Sequence, residues 1–181
     1  ALASDDGIFD ELVRPAFPGA RTVTGGESRA QTVMNGLHSI LARDPQAEWV
    51  MVHDAARPCL SFTDLSRLLE LGLHSPDGAI LATPVSDTLK LAGEDERIEA
   101  TIDRSRYWAA QTPQLFRIRE LAANLDAALS AGLKPTDDAA AMERAGKHPL
   151  LVQGSSTNIK ITGSEDLALA EFILQRQSVR E

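Results

Sequence analysis

The feature that most limits what this chain can fold into is an order: short apolar runs alternate with stretches whose apolar residues recur at helical spacing. WVMV (49–52) and GAILATPV (78–85) are continuous apolar runs of the kind that fill a sheet covered on both faces. Around them lie ESRAQTVMNGLHSILARD (27–44), with Val33, Met34, Leu37, Ile40 and Leu41 at helical spacing, and FTDLSRLLELGLHSPDG (62–78), with Leu65, Leu68, Leu69 and Leu73 on one side. Glu27 and Ser28 stand at the start of the first helix, where free N–H groups favour acceptors, and Thr63 is the expected cap of the second. Alternation of this sort predicts an α/β fold.

Beyond Pro84 the pattern changes. SDTLKLAGEDERIEATIDRS (86–105) reads as two extended pieces about a charged tip, with Leu89 and Leu91 alternating on one and Ile98, Ala100 and Ile102 on the other. A lone hairpin is marginal in water, so it is expected to lie against something, and a partner subunit is a candidate. Helices ending at Gly132 and Gly146 follow, then short strands in HPLLVQG (148–154) and NIKIT (158–162). A terminal helix, SEDLALAEFILQRQ (164–177), has Thr162 and Glu165 at capping-box spacing. ALAS (1–4) reads as the end of a strand, and a segment upstream of it is expected.

With 181 residues and no evident linker or repeat, one domain is the default. A net charge of −8 argues against a general nucleic-acid-binding surface, so an anionic ligand must be held by a few placed cations. Cys59 is the single cysteine, which excludes an internal disulfide and fits a reducing, cytoplasmic compartment. Neither a signal-like start nor an apolar run long enough to span a bilayer is apparent.

Four stretches could carry chemistry. TGGESR (24–29) is a Gly-Gly turn entering a helix, either an ordinary loop or a place where backbone approaches a ligand; it matches no P-loop or dinucleotide fingerprint. In HDAARP (53–58), Asp54 could bind a divalent cation bridging phosphate oxygens and Arg57 could clamp a phosphate, or the two could pair and close a turn. His53 is expected to be hydrogen-bonded rather than catalytic, and Cys59 to be a small buried residue. Thr88, Arg104 and Thr112 offer hydroxyls and a guanidinium suited to a phosphate and a polyol, but equally to a strand surface. Lys160, opposite Ile159 and Ile161 if NIKIT is a strand, is either exposed or a point charge for phosphate.

Taken in order, TGGESRAQTVMNGL, WVMVHDAARP, AILATPVSDTLK, TIDRSRYWAAQTPQLF, TDDAAAMERAG and NIKITGSEDLALAE resemble the 2-C-methyl-D-erythritol 4-phosphate cytidylyltransferase family, from about Gly25 to the last helix. The resemblance implies a Rossmann-like nucleotidyltransferase fold, a mixed sheet flanked by helices, and a homodimer formed through a protruding β-arm at about Pro84 to Ser105. It implies that CTP and methylerythritol phosphate give a CDP-alcohol and pyrophosphate, with Mg²⁺ near Asp54. By the same resemblance, Gly26, Glu27 and Thr32 receive cytosine, Asp54 and Ala55 lie by the triphosphate and ribose, and Arg57, Thr88 and Thr112 serve the polyol phosphate. Arg104 and Lys160 position that phosphate for attack, and Thr88 and Arg104 serve the other subunit's site. Thr32 stands where the family usually has serine. The family's opening strand and glycine-rich phosphate loop, with their arginine and lysine, are not among these residues. Two rivals are a cytidylyltransferase for another polyol phosphate such as ribitol phosphate, and a non-catalytic truncated remnant that only dimerises or binds a ligand.

Overall fold

The computed structural model describes residue 7 and residues 9–178, so the expected strand end in ALAS lies outside the described residues. The chain divides into two compact units, residues 1–52 with 116–149, and residues 53–115 with 150–181.

The first unit is built on helices. A π-helical turn, Phe9–Val13, precedes α1 (Arg29–Arg43), and β1 (Trp49–Val52) follows. Ser28 caps α1 as expected, its hydroxyl accepting from Gln31 N–H at 3.2 Å. Helix α3 (Ile118–Ser130) packs against both α1 and α4 (Asp138–Arg144). Met34 and Leu37, Leu121 and Leu125, and Ala139 and Met142 are among the buried side chains of these three helices. Gly132 and Gly146 follow the ends of α3 and α4 at φ +72° and +76°, the left-handed conformation that only glycine adopts without strain. One expectation needs correction here: β1 is not a fully buried strand. Met51 is exposed and the other three residues are half-buried, so among the described residues β1 is not covered on both faces.

The second unit is organised by β2 (Ala79–Pro84), whose first four residues are buried. On one side β2 pairs in parallel with β6 (Leu150–Gln153); on the other it pairs antiparallel with β5 (Trp108–Arg117), a strand whose last two residues belong to the first unit. The sheet is therefore mixed, and α2 (Phe62–Gly72) packs on β2 and β6 and buries Leu68. The cap of α2 is Ser61, accepting from Asp64 N–H at 3.1 Å, rather than Thr63, so the helix begins earlier than the leucine spacing suggests. Strands β3 (Leu89–Ala92) and β4 (Ile98–Ile102) form a separate antiparallel hairpin, as expected of the arm.

Strand β5 carries the irregularity that positions the site. Its pairs with β2 include Ile80 with Gln114 and Ala82 with Ala110, so Leu81 alone faces Gln111, Thr112 and Pro113. Proline has no N–H for a ladder, and a bulge removes it from the hydrogen-bonding register while re-aiming its neighbours.

NIKIT is not a strand; Ser156 and Thr157 form a turn, Asn158 lies in a bend and residues 159–162 are irregular. The chain then enters α5 (Ser164–Ser178), where Asp166 rather than Glu165 closes the helix start. Asp166 Oδ2 accepts from Thr162 N–H and O–H, each at 2.8 Å, and from Gly163 N–H at 3.0 Å. Helix α5 buries Ala170 and leaves Leu167, Leu169, Phe172 and Leu174 exposed.

Leu81, fully buried at the centre of β2, should lose about 2–5 kcal/mol of stability on replacement by Ala, read from urea unfolding. The three donors on Asp166 hold its carboxyl below the ordinary 3.8. A depressed carboxylate stabilises the fold above its unfolded pKa and loses that contribution as pH falls through the folded value. Titration of the Asp166 carboxyl carbon by NMR should therefore give a midpoint below 3.8, and Asp166→Asn should remove that phase from the acid-stability curve.

Candidate active site

In the first unit, the Gly-Gly turn is held by its own helix. Gly26 N–H donates to Thr32 Oγ1 at 2.9 Å, which brings two of the expected cytosine residues together. A Cβ on Gly26 would lie 2.2 Å from Gln31 Cγ and 2.5 Å from Gln31 Cβ, so only glycine fits without moving the helix start. Glu27 is exposed beside them. Nearby, Arg29 opens α1 with a cation where the helix dipole disfavours one. It is offset by a two-pronged ion pair to the fully buried Asp138, at 3.1 and 2.9 Å. Neither Arg29 nor Asp138 stands out in the sequence, because their separation of 109 residues hides the pairing.

In the second unit, the expected phosphate residues converge. Lys160 Nζ lies 3.0 Å from Asp54 Oδ2. The cation reaches that carboxylate without a strand to aim it. Its segment is instead fixed by backbone, Ile161 N–H donating to Ala56 C=O at 2.8 Å. Lys160 is thus a half-exposed cation paired with Asp54.

Asp54, Ala55 and Arg57 share a turn closed by Arg57 N–H donating to Asp54 C=O at 2.9 Å, with Ala55 exposed at its corner. The Arg57 side chain reaches the carbonyls of Asn158 (2.7 Å) and Ala110 (3.4 Å). Its Nε is buried with no hydrogen-bond partner among the described residues. Burial pushes the Arg57 guanidinium below its ordinary value, and the nearby Asp54 carboxylate opposes that shift. An arginine in such a place stays charged.

Thr112, re-aimed by the bulge, is the hub. Its hydroxyl accepts from Asp54 N–H at 3.0 Å and lies 3.0 Å from His53 Nδ1. His53 Nε2 is 3.0 Å from Arg57 C=O, and a carbonyl can only accept. The donor must therefore be Nε2–H, which in the neutral imidazole leaves Nδ1 to accept the Thr112 O–H. The resulting chain runs from Asp54 N–H through Thr112 and His53 to Arg57 C=O. It makes His53 a hydrogen-bonded residue, as expected, and commits the hydroxyl proton of Thr112 to the protein. Cys59 is buried, its Sγ 3.6 Å from Ala170 C=O.

Thr88 and Arg104 stand at the base of the hairpin, both exposed. Arg104 lies in a 3₁₀ turn, Arg104–Arg106, and its guanidinium donates to Ser86 C=O. Asp103 fixes that turn by accepting from Ser105 N–H and O–H, each at 3.0 Å, and these bonds hold the Asp103 carboxyl low.

No cluster of three or more potential metal ligands of the His, Cys, Asp and Glu types occurs among the described residues. Asp54 supplies a single hard oxygen ligand. That donor set suits Mg²⁺, which keeps several waters and is commonly carried by substrate phosphates with one or two carboxylates.

The 2-C-methyl-D-erythritol 4-phosphate cytidylyltransferase family model matches residues 1–176. The chain is 48% identical over 178 residues to a protein of that name from Tolumonas auensis, covering 98% of this chain and 76% of the relative. It is 52% identical over 176 residues to another from Yersinia pestis, covering 96% and 71%. Among solved structures, a 4-diphosphocytidyl-2C-methyl-D-erythritol synthase superposes with TM-score 0.83 at 42% identity, covering 94% of this chain and 78% of that one. The cytidylyltransferase of Thermus thermophilus does so with TM-score 0.75 at 32% identity, covering 87% and 78%.

Thr112→Val keeps the shape of a buried side chain but leaves Asp54 N–H and His53 Nδ1 without their partner. It should cost about 1–3 kcal/mol, and Thr112→Ser clearly less, in denaturant unfolding followed by circular dichroism.

Proposed function

The chain belongs to the 2-C-methyl-D-erythritol 4-phosphate cytidylyltransferase family, and from that premise we propose how its residues divide the work. It is a nucleotidyltransferase of isoprenoid biosynthesis, converting CTP and 2-C-methyl-D-erythritol 4-phosphate to 4-diphosphocytidyl-2-C-methyl-D-erythritol and pyrophosphate. The observation that carries the assignment of roles is the convergence of Lys160, Asp54, Arg57 and Thr112 within the second unit.

A phosphate oxygen of methylerythritol phosphate attacks the α-phosphorus of CTP. One P–O bond forms, the bond to the β-phosphate oxygen breaks, and pyrophosphate leaves with the electron pair. The attacking oxygen is already ionised, so no general base is required. The barrier lies in bringing two anions into line, and fixed cations lower it by positioning and charge stabilisation. Lys160 and Arg104 position the attacking phosphate, and Arg57 and Thr88 hold the polyol phosphate. Thr112 serves the polyol phosphate side by orienting Asp54 and, through the Asp54–Lys160 pair, the lysine, since its own proton is committed to His53. Gly26, Glu27 and Thr32 recognise cytosine, whose N4 donor and N3 and O2 acceptors suit backbone groups and a hydroxyl. Asp54 and Ala55 serve the triphosphate and ribose. Mg²⁺, carried by CTP and held by Asp54, would neutralise phosphate charge.

The working state is a homodimer in which the β3–β4 arm reaches the partner's site. Support comes from the arm itself: Leu91 and Ile98 are exposed on a two-stranded sheet, and Thr88 and Arg104 are exposed at its base. No helix among the described residues is long and apolar enough to cross a membrane, and one buried free cysteine suits a cytoplasmic enzyme.

Lys160→Ala and Arg104→Ala should each lower CDP-alcohol formation about 10²-fold or more. Mixing the two inactive chains under conditions that exchange subunits tests the arm. If Arg104 acts on the partner, hybrid dimers hold one intact site, and activity returns to about a quarter of the parent rate. An arm acting within its own chain leaves the mixture inactive. Parent-level turnover in both single variants would reject the assigned roles.

A further inference from the structure

Resting on the reading that Arg57, Thr112 and Lys160 serve the methylerythritol phosphate side, we infer that Asn158 is the positioning residue that sets all three. Its side chain is wholly buried.

The bulge in β5 takes Thr112 out of register with β2, and its C=O needs a donor from elsewhere. Asn158 supplies it: Nδ2 donates to Thr112 C=O at 2.9 Å, with a longer approach of 3.5 Å to Gln111 Oε1. Turning the amide over would set Oδ1 against the Thr112 carbonyl, so the donor's direction is determined. The Asn158 backbone is equally occupied. Its N–H donates to Ser155 C=O at 3.2 Å, and its C=O accepts from Arg57 Nη1 at 2.7 Å. Two residues later Lys160 reaches Asp54, at 3.0 Å.

One buried residue thus pins the bulge through its side chain and the arginine through its backbone. The same residue sets where the segment carrying the lysine begins. Gln111 reinforces the tie, its Nε2 donating to Ser155 C=O at 3.0 Å. Lys160 lies in no regular element, so its head group is located by these bonds rather than by a helix or strand. Removing the Nδ2 donor releases the Thr112 carbonyl and loosens the 155–160 segment, and with it Arg57 and Lys160. Asn158 touches no reacting atom; it acts through the three residues that do the positioning.

The test compares Asn158→Ala and Asn158→Asp with the parent protein at temperatures where circular dichroism shows each fully folded. Expected is an increase of about 10²-fold in KM/kcat for methylerythritol phosphate, the scale of a misplaced reactant, with KM for CTP changed less than about twofold. Asn158→Asp adds a signature that simple loss of packing would not produce. Its ionised carboxylate repels the Thr112 carbonyl, whereas the protonated acid donates to it, so activity relative to the parent should rise as pH falls. A readout independent of turnover is the Arg57 Nε–Hε cross-peak in a ¹⁵N spectrum, which should shift in Asn158→Ala. If that variant does not fold, the pH profile and Arg57 cross-peak of Asn158→Asp decide. Folded variants with parent kinetic constants, a parent pH profile and an unmoved Arg57 cross-peak would overturn the inference, as would equal rises in KM for the two substrates. Lys160→Ala, assayed in parallel, separates the two levels. Parent activity in Lys160→Ala rejects the site reading itself, while an impaired Lys160→Ala beside normal Asn158 variants rejects the role of Asn158 alone.

Discussion

A proline inside a paired strand forces the arrangement on which the rest depends. Pro113 cannot donate to a ladder, and β5 resolves this by setting Gln111, Thr112 and Pro113 opposite Leu81 alone. The residues displaced from the ladder become free to serve something else. Gln111 and Thr112 turn their polar groups to the 155–158 segment and to the HDAARP turn, and two loops far apart in sequence are tied to one strand. The acidic chain has few cations to spare for an anionic ligand. It compensates by locating those it has through hydrogen bonds rather than by accumulating charge.

The helices are largely legible from the sequence because their signals are local. Apolar spacing marks α1 and α2, and Gly132 and Gly146 mark where α3 and α4 stop. The β3–β4 hairpin is equally plain, since alternation and a charged tip need no distant partner to be read. Strand β5 escapes for a physical reason. Its proline argues against a ladder position, and only the pairing with β2 reveals that a bulge absorbs it. NIKIT misleads in the opposite sense: alternating isoleucines around a lysine look like a strand, but the segment is irregular and is held instead by the Asn158 side chain and by the Ile161 N–H bond to Ala56 C=O.

The candidate site divides along the same line. The family resemblance brings forward Asp54, Arg57, Thr112 and Lys160, and all four meet within one unit. What no motif conveys is how they are held. Asn158 sits in the NIKIT stretch beside the lysine that draws attention, yet a buried amide has no charge to advertise and its partner lies 46 residues away. The opposing pair Asp54 and Arg57 raises the prospect of a direct bond; the structure gives Asp54 to Lys160 and sends the Arg57 side chain to two backbone carbonyls. Thr112 reads as a ligand donor in the sequence, and its commitment to His53 becomes visible only once both ring nitrogens are assigned.

The pair of half-exposed Lys160 and largely covered Asp54 has one more implication, for how a charged substrate enters. Lys160 already carries a counterion 3.0 Å away, so before any phosphate arrives the cation is neither naked to solvent nor free to bind whatever small anion passes. On the role proposed for Lys160, an incoming phosphate must compete with a tethered carboxylate, and a doubly charged phosphate does so better than a singly charged competitor such as chloride. In that sense the ion pair behaves as a threshold, screening visitors by valence before shape is ever consulted.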